Sequence, residues 1–246
     1  MIFLVFTAGL WAGIQNALAG GGSFVTLPAL IIAGQTPLAA NITSTVALFP
    51  GQVTSGLAGW RFISGAGRLP FWVLFCISIG GGAAGGLLLL NTPERVFAEL
   101  VPWLVLFATA VFTWGSLFRK SKADDAAHIG PFGAGVAQFL IAIYGGYFGG
   151  GIGILMLAAL TLAGMGTRNA GATKNMLAGV MNASAVALFV TSPQVNWRLA
   201  ASLGLGAIIG GLLGAWALQR VNETALRVAI VVIGLALTIA LFLKPV

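Results

Sequence analysis

The side chains of this chain that could do chemistry are few, and most fall in two short stretches. The first, "ANITSTVALFPGQ", holds Asn41, Thr43, Ser44 and Gln52. The second, "AGATKNML", holds Thr173, Lys174 and Asn175, with Asn182 two turns further on. Hydroxyls and amides offer neutral hydrogen bonds, and an ammonium adds a full positive charge. Such a set is suited to holding an anion. It is not suited to breaking bonds, because no acid pair, Ser-His-Asp set or metal-ligand cluster accompanies it. The one histidine, His128, lies in a polar loop, and the one cysteine, Cys76, excludes an internal disulfide. The expectation is a protein that is not an enzyme and has no catalytic residue, metal or cofactor.

Glycine supplies the second half of the chemistry. "NALAGGGSFVTLPAL" carries Gly20, Gly21 and Gly22 before Ser23, and "FGGGIGILMLAAL" carries Gly149, Gly150 and Gly151. Each glycine disfavours a helix interior by about 1 kcal/mol and an internal proline by about 3 kcal/mol, so a helix breaks at such a run. A helix that restarts beyond it, at Ser23 or at Ile152, presents unpaired N–H groups and the positive end of its dipole. Without side chains, a small anion can reach that backbone. Each polar residue also has a plainer use. The hydroxyls of Thr43, Ser44 and Thr173 can bond their own helix carbonyls. Lys174 can snorkel to the interface, and Gln52 and Asn182 can tie helices together.

The elements that position these groups follow from composition. Of 246 residues, 59% are hydrophobic and only 7% are charged, too few charges to cover a soluble surface. Apolar runs of about 20 residues recur, each long enough to cross a hydrocarbon core of ~30 Å. A β-barrel would instead show short alternating segments. The chain reads as an all-α polytopic membrane protein. Its net charge of +7 comes from basic residues scattered singly between spans. They read as orienting charges, and no nucleic acid is expected as a partner. Ala17-Leu18-Ala19 has the look of a signal-peptide cleavage site, but no basic segment precedes it, so the N-terminus reads as part of the mature fold.

Apolar segments fall at about 1–19, 23–34, 37–60, 69–90 and 96–117, and recur at about 131–148, 152–163, 168–191, 198–218 and 225–243. Ala40, Thr43, Gly80, Gly81 and Phe112 reappear as Ala170, Thr173, Gly210, Gly211 and Phe242, and Gln52 is answered in kind by Asn182. Residues 1–117 therefore read as one repeat and 131–246 as a second, within one membrane domain. The charged segment 118–130 links them on the cytoplasmic side. In each half the segment after the glycines has only about twelve residues, rising about 18 Å, too short for an upright crossing. It is expected to return as a helical hairpin whose tip is the glycine run, leaving three transmembrane helices per half. An odd number of crossings inverts the second half. Arg61, Arg68, Arg119, Lys120, Lys122, Arg168, Arg220 and Arg227 then share one face, opposite Arg95, Arg198 and Lys244. The richer face is the cytoplasmic one. Four crossings per half would divide these charges less sharply.

The stretch "GLWAGIQNALAGGGSFVTLPALIIAGQTPLAANITSTVALFPG", with its weaker echo "GGYFGGGIGILMLAALTLAGMGTRNAGATKNML", resembles the sulfite exporter TauE/SafE family of permeases, and the likeness runs over both halves. The resemblance implies a multi-pass carrier of the bacterial inner membrane for small sulfur-containing anions such as sulfite, thiosulfate or organosulfonates. The second half departs from the first: Leu157 stands where Pro28 does, and Thr173-Lys174 where Thr43-Ser44 does. With no ATP-binding motif, the drive is a substrate or ion gradient. Another small anion, such as a carboxylate, and a membrane assembly subunit without transport are the competing readings. The expected partners are the anion and the lipid bilayer, and a homo-oligomer stays open.

Overall fold

The structure, a computed structural model, describes all residues except 19–20, 116–128, 218–222 and 244–246. Among the described residues there are ten α-helices and no strand beyond a single bridge between Ala66 and Leu69. They are α1 (Ile2–Leu18), α2 (Ser23–Ile32), α3 (Pro37–Ala58), α4 (Phe71–Leu90), α5 (Glu94–Thr113), α6 (Pro131–Tyr147), α7 (Ile152–Leu162), α8 (Thr167–Phe189), α9 (Trp197–Ala217) and α10 (Glu223–Leu243). A 3-10 turn, Trp60–Phe62, follows α3.

The ends of the short helices are written in the same residues in both halves. Gly34 after α2 and Gly164 after α7 adopt φ of 93° and 88°, a left-handed turn that glycine makes without a Cβ clash. The next N–H, of Gln35 or Met165, then donates back to Leu30 or Leu160 and closes the helix end. Thr36 opens α3 by accepting from Ala39 N–H at 3.4 Å, with Pro37 as its first residue.

Two helices pack small residues inward and turn large apolar ones outward. On α4 the glycines 81, 82, 85 and 86 are buried, while Trp72, Val73, Ile79, Leu87 and Leu88 are exposed. On α9, Gly206 and Gly210 meet the backbone of α1, and Leu205, Ile208, Ile209 and Leu212 face outward. Small residues inside and large apolar ones outside suit a bundle dissolved in lipid, where close backbone contact holds helices together. α4 and α5, each of 20 residues with mean hydropathy 2.1 and 1.9, are long and apolar enough to cross a bilayer. α3 and α8, at 22 and 23 residues, are longer but carry the polar side chains. A bilayer tolerates such helices when their polar faces turn inward.

Helix pairings recur between the halves. α1 packs on α9 as α6 packs on α4, α3 on α9 as α8 on α4, and α2 on α3 as α7 on α8. Two of the pairs of corresponding helices, α3 with α8 and α5 with α10, pack directly on each other. Both run antiparallel. Along α3, Gln52, Gly56 and Gly59 meet Asn182, Asn175 and Ala172 in turn. Along α5, Trp103 and Thr109 meet Phe242 and Gly234.

Two faces result. α3, α5 and α9 begin at the first, where Leu38 N–H donates to Glu94 Oε1 and Asn196 N–H to Thr43 Oγ1. Arg95 and Arg198 start α5 and α9 there. α4, α6 and α8 begin at the second face, where Arg61, Arg68 and Arg168 lie and Arg168 stacks on Phe62. The α6–α7 pair returns to that second face, since Ile129 N–H, just before α6, donates to Leu162 O at the end of α7 at 2.9 Å. Of the remaining charges, Arg119, Lys120, Lys122, Arg220 and Lys244 lie outside the described residues, as do His128 and most of the linker.

Candidate functional site

The second glycine run makes an open helix start. Gly149 and Gly151 take φ of 81° and 73°, turning the chain from α6 into α7. Among the described residues the N–H groups of Gly150, Gly151, Ile152 and Gly153 have no acceptor, and the first N–H groups bonded back are those of Ile154 and Leu155 on Gly151 O. Gly151 sits against the backbone of Ala108 on α5, where a Cβ would stand a tight 3.2 Å from the Ala108 carbonyl oxygen. Beside this start lies Lys174. A Cβ placed on Gly153 would stand 3.6 Å from its Nζ. Among the described residues the ammonium has neither a carboxylate nor a hydrogen-bond partner. Glu94 and Glu99 are at the opposite face, where α5 begins. A cation held at the positive end of a helix dipole is electrostatically unfavourable, and a bound anion removes the conflict.

The first glycine run is closed on itself. Asn16 Oδ1 accepts the N–H of Gly22 at 2.8 Å, and Gln15 Nε2 donates to Gly21 O at 2.7 Å. Gly21, at φ 86°, makes the turn. Ser23 begins α2 and Phe24 packs edge-on to Phe112, one turn of α5 beyond Ala108. Both helix starts therefore bear on the same stretch of α5. Gly20 lies outside the described residues.

The remaining residues divide by place. Asn41 Nδ2 donates to Tyr147 O at 3.0 Å, pinning α3 to the end of α6 just before the second glycine run. Ser44 and Thr26 hydroxyls meet at 2.6 Å and join α2 to α3. Lys174 occupies the position in the second half that Ser44 occupies in the first, and an ammonium replaces this hydroxyl pair. Thr43 and Thr173 bond neither their own helices nor each other. Thr43 Oγ1 takes the N–H of Asn196 at 3.2 Å and reaches Gln194 O. Thr173 Oγ1 takes the N–H of Ser64 at 3.1 Å and donates to Ser64 O at 3.2 Å. Each threonine thus clasps a loop of the other half, one at each face. Asn182 Nδ2 donates to Gln52 Oε1, so two corresponding residues meet each other. Asn175, partly buried, presents its backbone to Gly56 of α3.

Asn41, Gly149, Gly150, Gly151 and Lys174 flank the second break, whereas Gly21, Gly22, Ser23 and Ser44 belong to the first. Gln15, Asn16, Thr26 and Tyr144 escaped sequence reasoning. Tyr144, packed on Phe107 and Phe148, has a buried hydroxyl with no hydrogen-bond partner among the described residues. Gln15 and Asn16 stand in the last turn before the glycine run, and that adjacency is the signal that would have found them. Thr26 is masked by its apolar neighbours in "SFVTLPAL".

A family model described as sulfite exporter TauE/SafE matches residues 5–241. Among curated relatives, a "Probable membrane transporter protein" of Haemophilus influenzae is 28% identical over 97% of this chain and 93% of its own length. "Probable membrane transporter protein ORF9" of Sinorhizobium sp is 30% identical over 100% and 94%. "Probable membrane transporter protein YfcA" of Escherichia coli K12 is 24% identical over 95% and 87%. No solved structure matches the chain significantly.

Proposed function

The chain belongs to the sulfite exporter TauE/SafE family and is a membrane transporter, and from that premise we propose that it carries small sulfur-containing anions such as sulfite, thiosulfate or organosulfonates. The carrier is a secondary permease of the bacterial inner membrane working by alternating access. One observation carries the anion reading: four unpaired N–H groups of Gly150 to Gly153 stand beside the uncompensated Lys174. The anion is held at this second break, with Asn41 steadying the turn from α3. The first break, already satisfied by Gln15 and Asn16, is scaffold. On this reading the site lies off the centre, on one half.

A thermal-shift series tests the substrate class on purified protein. Sulfite, thiosulfate or a sulfonate is expected to raise the melting temperature, with a saturating ligand at 100 times its Kd adding about 2.7 kcal/mol. Chloride at equal ionic strength is expected to leave it unchanged. Stabilisation by carboxylates alone would reject the sulfur-anion reading.

Inverted halves are part of the same proposal. Corresponding helices that cross a membrane and run antiparallel, as α3 with α8 and α5 with α10, are related by an axis lying in the membrane plane. On this reading the second face is cytoplasmic, in keeping with Arg61, Arg68 and Arg168 there. Cys76→Ala protein carrying either Ser121→Cys in the linker or Asn196→Cys in the α8–α9 loop checks it. An impermeant thiol reagent on intact cells is expected to label the Asn196→Cys protein and spare the other, with the reverse in inside-out vesicles. Both reacting from one side would mean parallel halves.

A further inference from the structure

The two clasps each rest on a threonine hydroxyl bonded to loop backbone, Thr43 to Gln194 and Asn196 and Thr173 to Ser64 alone, and their surroundings differ further. At the first face, Leu38 and Ile42 of α3, Leu90 of α4, Leu188 of α8 and Gln194 border a cavity of about 300 Å³. Gln194 is also the residue whose carbonyl Thr43 reaches. At the second face the repeat puts Arg168 where Leu38 stands and Phe62 where Ser192, another residue of the cavity wall, stands. These two do not leave a gap between them. The Arg168 guanidinium carbon lies 3.7 Å from the centre of the Phe62 ring, and Asn169 Nδ2 reaches Ser64 Oγ in the same loop at 3.4 Å.

We propose that the Thr43 and Thr173 clasps are the two gates of the transporter, opened in alternation, and that the Arg168–Phe62 stack is the latch that holds the second gate shut. The inference rests on the inverted-repeat carrier described above. Thr43 lies toward the α3 start and Thr173 toward the α8 start, on either side of the Gln52–Asn182 contact where these antiparallel helices meet. Rocking α8 against α3 over that contact separates one pair of ends while pressing the other together. Each clasp joins a helix of one half to a loop of the other, so movement between the halves must break it. Both clasps rest on a threonine hydroxyl, so the balance between the two states is tilted by what surrounds them, and the cation–π stack is present at one face only of the two corresponding positions.

Two buried reporters test this in Cys76→Ala protein: Ile42→Cys beneath the first gate and Ala172→Cys, its counterpart, beneath the second. Their rates of reaction with an impermeant thiol reagent, applied from each face in turn, read the opening of each gate. Removing the latch with Arg168→Ala is expected to speed labelling of the Ala172→Cys protein from the second face by about two- to fivefold. The Ile42→Cys protein is expected to slow from the first face. Phe62→Leu, which keeps an apolar side chain, is expected to do the same should Arg168→Ala accumulate poorly. Thr173→Val is expected to act in the same direction more strongly, and Thr173→Ser, which retains the hydroxyl, to restore the original rates. Unchanged Ala172→Cys labelling in both latch variants would overturn the latch. Faster labelling there with no change at Ile42→Cys would overturn the alternation. Reaction of both parent reporters from the same face would instead reject the inverted halves on which the gates depend.

Discussion

Lys174→Met is expected to weaken anion binding by about tenfold or more while the protein still folds and inserts. A charge-assisted hydrogen bond contributes roughly 1.5–3 kcal/mol, and the methionine keeps most of the apolar stem that packs beside Gly153. The loss is read as the anion concentration giving half-maximal thermal stabilisation, and as the half-saturating concentration of uptake into vesicles. Lys174→Arg is expected to retain part of the affinity, because the charge remains while the donor geometry changes. Equal affinities in parent and Met variant would leave Lys174 as a snorkelling residue. The ligand would then depend on backbone N–H groups alone.

Gly85→Ala is expected to lower stability strongly. A Cβ there would collide with the carbonyl of Ile143 and lie 2.9 Å from Tyr147 N, both backbone atoms of α6. Backbone cannot swing aside as a side chain can, so overpacking of this kind costs about 1–3 kcal/mol or more. The measurement is yield and melting temperature in detergent. Gly153→Ala is its control. The nearest atoms are Lys174 Nζ at 3.6 Å and Cδ at 3.9 Å, ordinary contacts, and the backbone there is helical. That variant is expected to keep its melting temperature and lose affinity, since the methyl intrudes where the proposed anion would meet the open N–H groups. A large loss of stability in Gly153→Ala would assign the glycine to packing. Gly21→Leu cannot serve as such a control, because φ of 86° strains any side chain at that position whatever the ligand does.

The helices were legible because membrane spans announce themselves by length and apolarity. Expected segments such as 152–163 and 168–191 correspond to Ile152–Leu162 and Thr167–Phe189. Their breaks were legible for a local reason, since three glycines in a row end a helix in any environment. What each polar side chain bonds to was not legible. Thr43 bonds a loop more than 150 residues away along the chain, and no periodicity within "ANITSTV" encodes that partner. The difference between the two glycine runs was half visible. Asn16 and Gln15 precede the first run, but only the fold shows their amides turning forward to satisfy Gly22 and Gly21. The correspondence of Gln52 with Asn182 was plain in the sequence. That they touch follows from the meeting of antiparallel α3 and α8 there.

Ser44 and Lys174 hold the same station in the two halves, one bonded to Thr26 and the other to nothing among the described residues. Two identical chains assembled about a twofold axis could never make that arrangement. Every ammonium on one would be matched by an ammonium on the other, and the lining of the passage would carry an even number of added positive charges. A covalently joined pair is free of this parity. It can hold a single added charge and form one ligand seat where symmetry would impose two. On the proposed inverted-repeat reading, joining the halves in one polypeptide lets the proposed anion site take an odd valence, and lets an anion bind one side of the axis without a competing copy of its site across from it.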